Sequence, residues 1–250
     1  MSPIVWRVEH LDEIDSTNSY VAKRVNADLA EGLVVLANYQ SSGRGRLDRP
    51  WSSPPRASLL CSILLRPKLE SEYLQLVVAA VALATRAALV RLSGVRPQLK
   101  WPNDLVVGEN KLAGLLAEIV GTESDLAVVV GLGVNLTFPG PEGVSSTSVL
   151  LESGLTISPR ALLDLVLEEL ETRRAQLDSD VGQRALRAEY ERALATIGQT
   201  VRVEQPGDTI VGRALGVDAA GQLLVEVDGV VQSFGVGDVV HVRHAHVEGT

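Results

Sequence analysis

Two apolar runs with a polar, arginine-bearing stretch between them set the terms for this chain. Leu33-Val34-Val35-Leu36-Ala37 and Ala57-Ser58-Leu59-Leu60-Cys61-Ser62-Ile63-Leu64-Leu65 are short and nearly continuous in apolar residues, as in strands buried on both faces. Between them runs Gln40-Ser41-Ser42-Gly43-Arg44-Gly45-Arg46-Leu47-Asp48-Arg49-Pro50-Trp51. A chain with two core strands so placed must carry this stretch as a long loop at the edge of its core. Gly43 and Gly45 alternate with Arg44 and Arg46, so the backbone can take positive φ and approach a ligand closely while guanidinium forks point at it. A planar anion, phosphate or carboxylate, suits that arrangement best.

The rest of the chain supplies elements around this loop. Val5–Val8 and Leu11–Ile14 read as short strands, and Ser16 or Thr17 caps a helix expected to end near Leu29. Ser71 to Leu92 is apolar at helical spacing and predicts a core helix. Gln98 to Val107 reads as a strand, a proline-fixed turn and a second strand; a hairpin at Gly108-Glu109-Asn110 leads into a strand from Lys111 to Val120. Leu126 to Leu136 is a further strand, in which Gly131 and Gly133 leave room for a ligand against the backbone. Ser145–Ser148 caps a short helix, and two longer ones follow over Arg160–Gln176, after Pro159, and Val181–Ala193. From Gly198 the pattern changes to five short alternating runs, Thr200–Val203, Ile210–Val217, Gln222–Val227, Val230–Phe234 and Val239–Val242. Turn signals separate them at Pro206-Gly207-Asp208, Ala219-Ala220-Gly221, Asp228-Gly229 and Val236-Gly237-Asp238. The expected architecture is α+β: a mixed-sheet domain with flanking helices over 1–196 and a small barrel over 197–250.

Charge and cysteine content narrow the function. A net charge of −8 and a pI near 5.1 disfavour general attraction to nucleic acid. Cys61, inside an apolar run, predicts an inert buried thiol. His241, His244 and His246 fit no metal-site spacing and read as part of a solvated strand and tail. The N-terminus lacks a basic segment followed by an apolar one, and no apolar stretch is expected to span a bilayer, so a cytoplasmic protein is inferred.

Four further stretches accompany the loop: Ser16-Thr17-Asn18, Lys100-Trp101-Pro102-Asn103-Asp104, Lys111-Leu112-Ala113-Gly114 and Gly131-Leu132-Gly133-Val134-Asn135. In this order and spacing they resemble the biotin protein ligases, and the resemblance covers most of the chain. It implies the class II synthetase-like biotin/lipoate ligase fold with an SH3-like C-terminal domain. It also implies ATP-dependent biotinylation of a lysine on a biotin carboxyl carrier domain through biotinyl-5′-adenylate, with biotin and ATP as substrates and Mg²⁺ as the accompanying ion.

Carried over by motif, Ser16, Thr17, Asn18 and Gln40 contact biotin, as do Arg44, Gly45, Arg46 and Lys111. Arg44, Arg46, Asn103, Lys111 and Asn135 face ATP. Lys111 and Arg46 are the expected catalytic cations. Asp104 has two roles open to it, orienting the acceptor lysine or helping to hold Mg²⁺. Trp51 either stacks on adenine or fills the core. Members of this family that also repress transcription carry a helix-turn-helix domain before the Ser-Thr-Asn motif; only Met1 to Asp15 precede it here, so DNA binding is not expected. Pro50 follows where many members have a glycine, which stiffens the expected lid. The sequence leaves the oligomer open between monomer and weak dimer. Two rivals remain: a lipoate ligase or octanoyltransferase of the same fold, and a non-enzymatic anion-binding module.

Overall fold

A computed structural model describes residues 4–26, 28–120, 127–205, 208–235 and 238–241. Strands β1 (Arg7–Leu11), β2 (Leu33–Ala37), β3 (Ser58–Leu65), β4 (Gln98–Lys100), β5 (Asp104–Val107), β6 (Asn110–Ile119) and β7 (Val128–Asn135) form one sheet in the order β1-β2-β3-β7-β6-β5-β4. Only β1 and β2 run parallel; the other neighbours are antiparallel. The two apolar runs that flank the loop are β2 and β3, buried throughout.

Strand alternation divides this sheet into two unlike faces. Leu59, Cys61, Ile63 and Leu65 of β3, with Val128, Val130, Leu132 and Val134 of β7, point into the main core, beneath helices α2 (Leu74–Ser93) and α4 (Pro159–Gln176). The opposite face has a small cluster, Val21, Leu33, Val35, Leu64 and Val129, under helix α1 (Thr17–Arg24). Beyond α1 that face carries Ser62 and the glycines of β6 and β7 beside Leu60, so no second apolar core covers it.

Serine side chains cap α1, α3 (Val149–Ser153), α4 and α5 (Asp180–Ala193), through Ser16, Ser148, Ser158 and Ser179. The two expected N-terminal strands are a single strand, β1. Helix α1 stops at Arg24 rather than near Leu29, because Val25 turns extended and the Asn26 side chain accepts from the backbone N–H of Asp28 and Leu29. Contrary to the expectation of no span-length segment, α2 with its leading turn covers Ser71–Ser93 and is long and apolar enough to cross a membrane. Most of it is buried as the central helix of the core, where apolar residues on nearly every side find partners.

The C-terminal strands β8 (Thr200–Gln205), β9 (Asp208–Val217), β10 (Leu223–Val227), β11 (Val230–Phe234) and β12 (Asp238–His241) make an antiparallel sheet, order β11-β10-β9-β8-β12. The turns expected at Pro206-Gly207 and Val236-Gly237, and His244 and His246, lie outside the described residues. This sheet shares the main core: Val201, Val203, Ala214, Leu223, Val225 and Phe234 belong to the same apolar cluster as α2. Trp101, 1% exposed, donates its indole N–H to Gly221 O at 3.1 Å. The strand-turn-strand unit β4–β5 is thereby pinned from the side away from the loop.

Candidate functional site

A cavity of about 640 Å³ opens on the weakly covered face of the large sheet, between α1 and the loop after β2. Every site residue named from sequence lines it: Ser16, Thr17, Asn18 and Gln40 at one end, Arg44, Gly45, Arg46 and Trp51 from the loop, Asn103 from the turn before β5, and Asp104, Lys111 and Asn135 from β5, β6 and β7.

At the α1 end the groups are buried and mutually bonded. Ser16 caps the helix, so Thr17 and Asn18, 3% and 5% exposed, face inward from its first turn. Thr17 donates its backbone N–H at 2.7 Å and its hydroxyl at 3.0 Å to Gln40 Oε1. Ser62 Oγ lies 2.7 Å from Thr17 Oγ1 and 2.5 Å from Asn18 Oδ1. Asn18 Nδ2 donates to Leu116 O at 3.2 Å and to Glu118 Oε2 at 2.6 Å. Glycine is required at position 131 because a Cβ there would stand 2.4 Å from Asn18 Oδ1. Ser62 and Glu118 escaped the reading of the sequence, although each is a polar residue interrupting an apolar strand, a pattern that marks a group with a buried partner.

At the other end the cations sit in half-exposed pairs. Lys111 Nζ is 2.7 Å from Asp104 Oδ1 and 5.5 Å from the centre of the Trp51 ring. Arg46 donates to Asn103 Oδ1 at 3.4 Å; Asn103 is itself tied to β6, donating Nδ2–H to Leu115 O at 2.6 Å and accepting from Leu115 N at 2.9 Å. Arg44 donates to Ser19 Oγ at 3.2 Å and lies 3.7 Å from Asp48 and 3.8 Å from Glu118. Backbone pairing of Lys111 with the 145–147 segment, Lys111 N to Ser145 O at 3.0 Å and Thr147 N to Lys111 O at 2.9 Å, fixes where its side chain starts.

The packing of the loop decides how its residues are used. Positive φ falls on Leu47 and Asp48, both at 53°, and not on Gly43 or Gly45. Gly43 is needed for closeness instead, since a Cβ there would meet Trp51 O at 2.5 Å. The loop is also folded on itself, with Gly45 N donating to Arg49 O at 2.7 Å and Trp51 N to Gly43 O at 2.9 Å. The room left by the β7 glycines is filled by protein: Asn18 over Gly131, and the Trp51 indole over Gly133, where a Cβ would come within 2.5 Å of the ring. Trp51 thus lies on the cavity floor, with its indole nitrogen buried and unbonded. Asn135 is a loop clamp as well as a lining residue, its Nδ2 donating to Pro139 O at 3.1 Å and Thr147 O at 3.0 Å.

Cys61 points to the opposite face, and burial pushes its thiol up to about 12, as expected of an inert side chain. Among the described residues no three His, Cys, Asp or Glu side chains gather as a metal site. Lys111 and Arg46 at one end, a hydrogen-bonding wall of hydroxyl and amide groups at the other and Arg44 reaching from the loop to that wall suit a ligand with an anionic and an uncharged polar part.

Residues 11–135 match the model of the biotin/lipoate A/B protein ligase family, and residues 196–242 match that of the biotin protein ligase C-terminal domain. A Mycobacterium tuberculosis protein named biotin--[acetyl-CoA-carboxylase] ligase is 34% identical over 95% of this chain and 90% of its own. The bifunctional ligase/repressor BirA of Escherichia coli is 30% identical over 92% of this chain and 72% of its own. Among solved structures, a biotin protein ligase from Aquifex aeolicus in complex with biotin and ATP superposes with a TM-score of 0.81 at 25% identity, covering 95% of this chain and 99% of that one.

Proposed function

The chain belongs to the biotin/lipoate A/B protein ligase family, and from that premise we propose how its cavity carries the reaction. The activity is ATP-dependent biotinylation, with biotin and ATP as substrates and a carboxyl carrier protein as acceptor. The lipoate-specific and non-enzymatic readings are disfavoured against it.

The reaction has two steps. Biotin carboxylate attacks the α-phosphorus of ATP, forming biotinyl-5′-adenylate and releasing pyrophosphate; the acceptor lysine amine then attacks the acyl carbon of the mixed anhydride and AMP leaves. Both steps concentrate negative charge, which fixed cations in a shielded site stabilise without reorganisation. We assign Lys111 to bridge the carboxylate and the α-phosphate, and Arg46 to hold their oxygens as the loop settles, with Arg44 and Gly45 completing the cover. The ureido end of biotin lies against Ser16, Thr17, Asn18 and Gln40. Asn103, Trp51 and Asn135 border the nucleotide, Trp51 by offering its indole to adenine once it leaves Gly133. The convergence of four cationic side chains, Arg44, Arg46, Arg49 and Lys111, on one cavity with a hydrogen-bonded polar end is the observation that carries this assignment.

Asp104 is the acidic side chain paired with Lys111, at 2.7 Å, and is placed to release that amine to a ligand or to orient the incoming lysine. Among the described residues no three His, Cys, Asp or Glu side chains gather as a metal site; Mg²⁺ would come with the phosphates of ATP and offset their charge, and Asp104 would be the side chain to help hold it.

We further assign residues 1–196 to the catalytic unit and 197–250 to the C-terminal unit, a division supported by the change from helices to short antiparallel strands after Ala193. The acceptor is taken to be a biotin carboxyl carrier domain, met in the cytoplasm where ATP is made available. Incubation with ATP, Mg²⁺, labelled biotin and such a domain should place label on one lysine of the domain; ATP–pyrophosphate exchange supported by lipoate and not by biotin would overturn the assignment.

A further inference from the structure

The hydrogen-bonded wall and the basic loop meet on one carboxylate. Glu118 projects from β6 toward the α1 face, where its Oε2 accepts from Asn18 Nδ2 at 2.6 Å and its Oε1 stands 3.8 Å from the Arg44 guanidinium. Asn18 has no spare donor: its second amide hydrogen goes to Leu116 O at 3.2 Å, while its Oδ1 faces the Ser62 hydroxyl at 2.5 Å. A neutral amide fits such a site either way round by shape, and its neighbours decide which way it sits. An ionised carboxylate is the strongest acceptor available to it. Arg44, the other partner of that carboxylate, also reaches Ser19 on α1 and Asp48 within the loop.

We propose that Glu118 is a positioning residue with two duties. It sets the orientation of the Asn18 amide, and so the acceptor oxygen and neighbouring hydroxyl that the wall presents to biotin. It also holds Arg44 over the same end of the cavity, so that one side chain joins the order of the biotin wall to the seating of the loop. This inference rests on the biotin and nucleotide assignment above, and the test separates the two. Biotin-dependent ATP–pyrophosphate exchange by the unaltered protein checks that assignment: its absence overturns the proposed function, and the role of Glu118 falls with it. With exchange established, Glu118→Ala and Glu118→Gln are compared.

Glutamine keeps a carbonyl acceptor for Asn18 but offers Arg44 no charge, whereas alanine removes both. Glu118→Ala should raise the KM for biotin by about tenfold or more, the scale of a lost hydrogen bond to a charged acceptor, and leave the KM for ATP close to its starting value. Glu118→Gln should recover most of the biotin KM. Both variants should release biotinyl-adenylate into solution about two- to fivefold faster, the range commanded by a half-exposed ion pair. A merely structural role would move both KM values together and would not be rescued selectively by glutamine. An unchanged biotin KM in Glu118→Ala, or unchanged adenylate release from Glu118→Gln, would overturn the proposal. If alanine prevents folding, release from the near-isosteric glutamine variant decides it.

Discussion

At the α1 end of the cavity Thr17, Asn18, Ser62 and Gln40 are hydrogen-bonded to one another and to β6 and are held by a helix and three strands, whereas at the other end Lys111 and Arg46 sit in an ion pair and a contact open to water, and Arg44 reaches from the loop toward the wall. The difference follows from what each end has to do. A neutral ring is recognised by donors and acceptors already aimed, because each group that must be ordered on binding subtracts from affinity. Charge that builds up only during reaction needs cations that can exchange a protein carboxylate for a substrate oxygen, and a half-exposed pair is cheap to break. Removing the cation at the reacting centre should therefore act on rate, removing a loop cation on retention of the adenylate, and disturbing the buried wall on biotin binding.

Lys111→Ala gives the largest expected effect. Removing this ammonium takes away charge stabilisation at the reacting centre of about 3 kcal/mol or more, which lowers pyrophosphate exchange by roughly a hundredfold or beyond. The side chain is a third exposed, so thermal unfolding should shift little. Near-normal exchange would show that the cation end does no chemistry and would break the comparison at its centre.

The paired glycines of β7 sharpen it. Gly131→Ala drives a Cβ to 2.4 Å from Asn18 Oδ1, within the bonded network of helix and sheet, whereas Gly133→Ala drives one to 2.5 Å from the Trp51 ring, carried on a loop outside the sheet. Overpacking at the fixed site should cost about 1–3 kcal/mol of stability and raise the biotin KM, whereas the Gly133 variant should fall well below that range. Equal losses, read by thermal unfolding and biotin titration, would mean that the loop is as firmly built as the wall.

Arg46→Gly ranks below these. Its side chain lines the cavity, so the deficit should fall on retention: biotinyl-adenylate appears in solution faster than it is transferred. Unchanged release, measured by chromatography of the free adenylate, would remove the loop from any covering role.

These contrasts explain what the sequence could and could not convey. Core strands and the long helix were legible because burial on both faces imposes unbroken apolar runs, and β2, β3 and α2 follow the expected bounds within a few residues. The membership of the site was legible through motif order. Partnership was not: that Ser62 faces Asn18, that Gly133 makes room for Trp51 and that Glu118 joins Asn18 to Arg44 are consequences of register across β3, β7 and β6. The loop conformation was not legible for a related reason. Glycine permits positive φ but does not demand it, and here close packing uses Gly43 while Leu47 and Asp48 take the strained backbone.

The smallest expected effect probes whether the cation end is loose throughout or only at its side chains. Asn103 and Asp104 follow Trp101, whose backbone N–H donates to Thr196 Oγ1 at 3.1 Å and whose indole reaches Gly221 in the C-terminal sheet. Pro102 O accepts from Gln75 Nε2, which also donates to Tyr190 Oη at 3.0 Å. The backbone behind the cations is therefore as fixed as the opposite wall, and exchangeability is confined to the ion pairs. Trp101→Phe removes one buried hydrogen bond and leaves Gly221 O without its donor, which should cost about 1 kcal/mol of stability, or slightly more, while Thr196, Gln75 and Tyr190 keep the turn in place. Exchange activity should then stay close to that of the unaltered chain. If it instead fell as far as in Lys111→Ala at a similar unfolding temperature, the placement of Asp104 and Asn103 would depend on the C-terminal sheet itself, and the rigid part of the site would extend across both units.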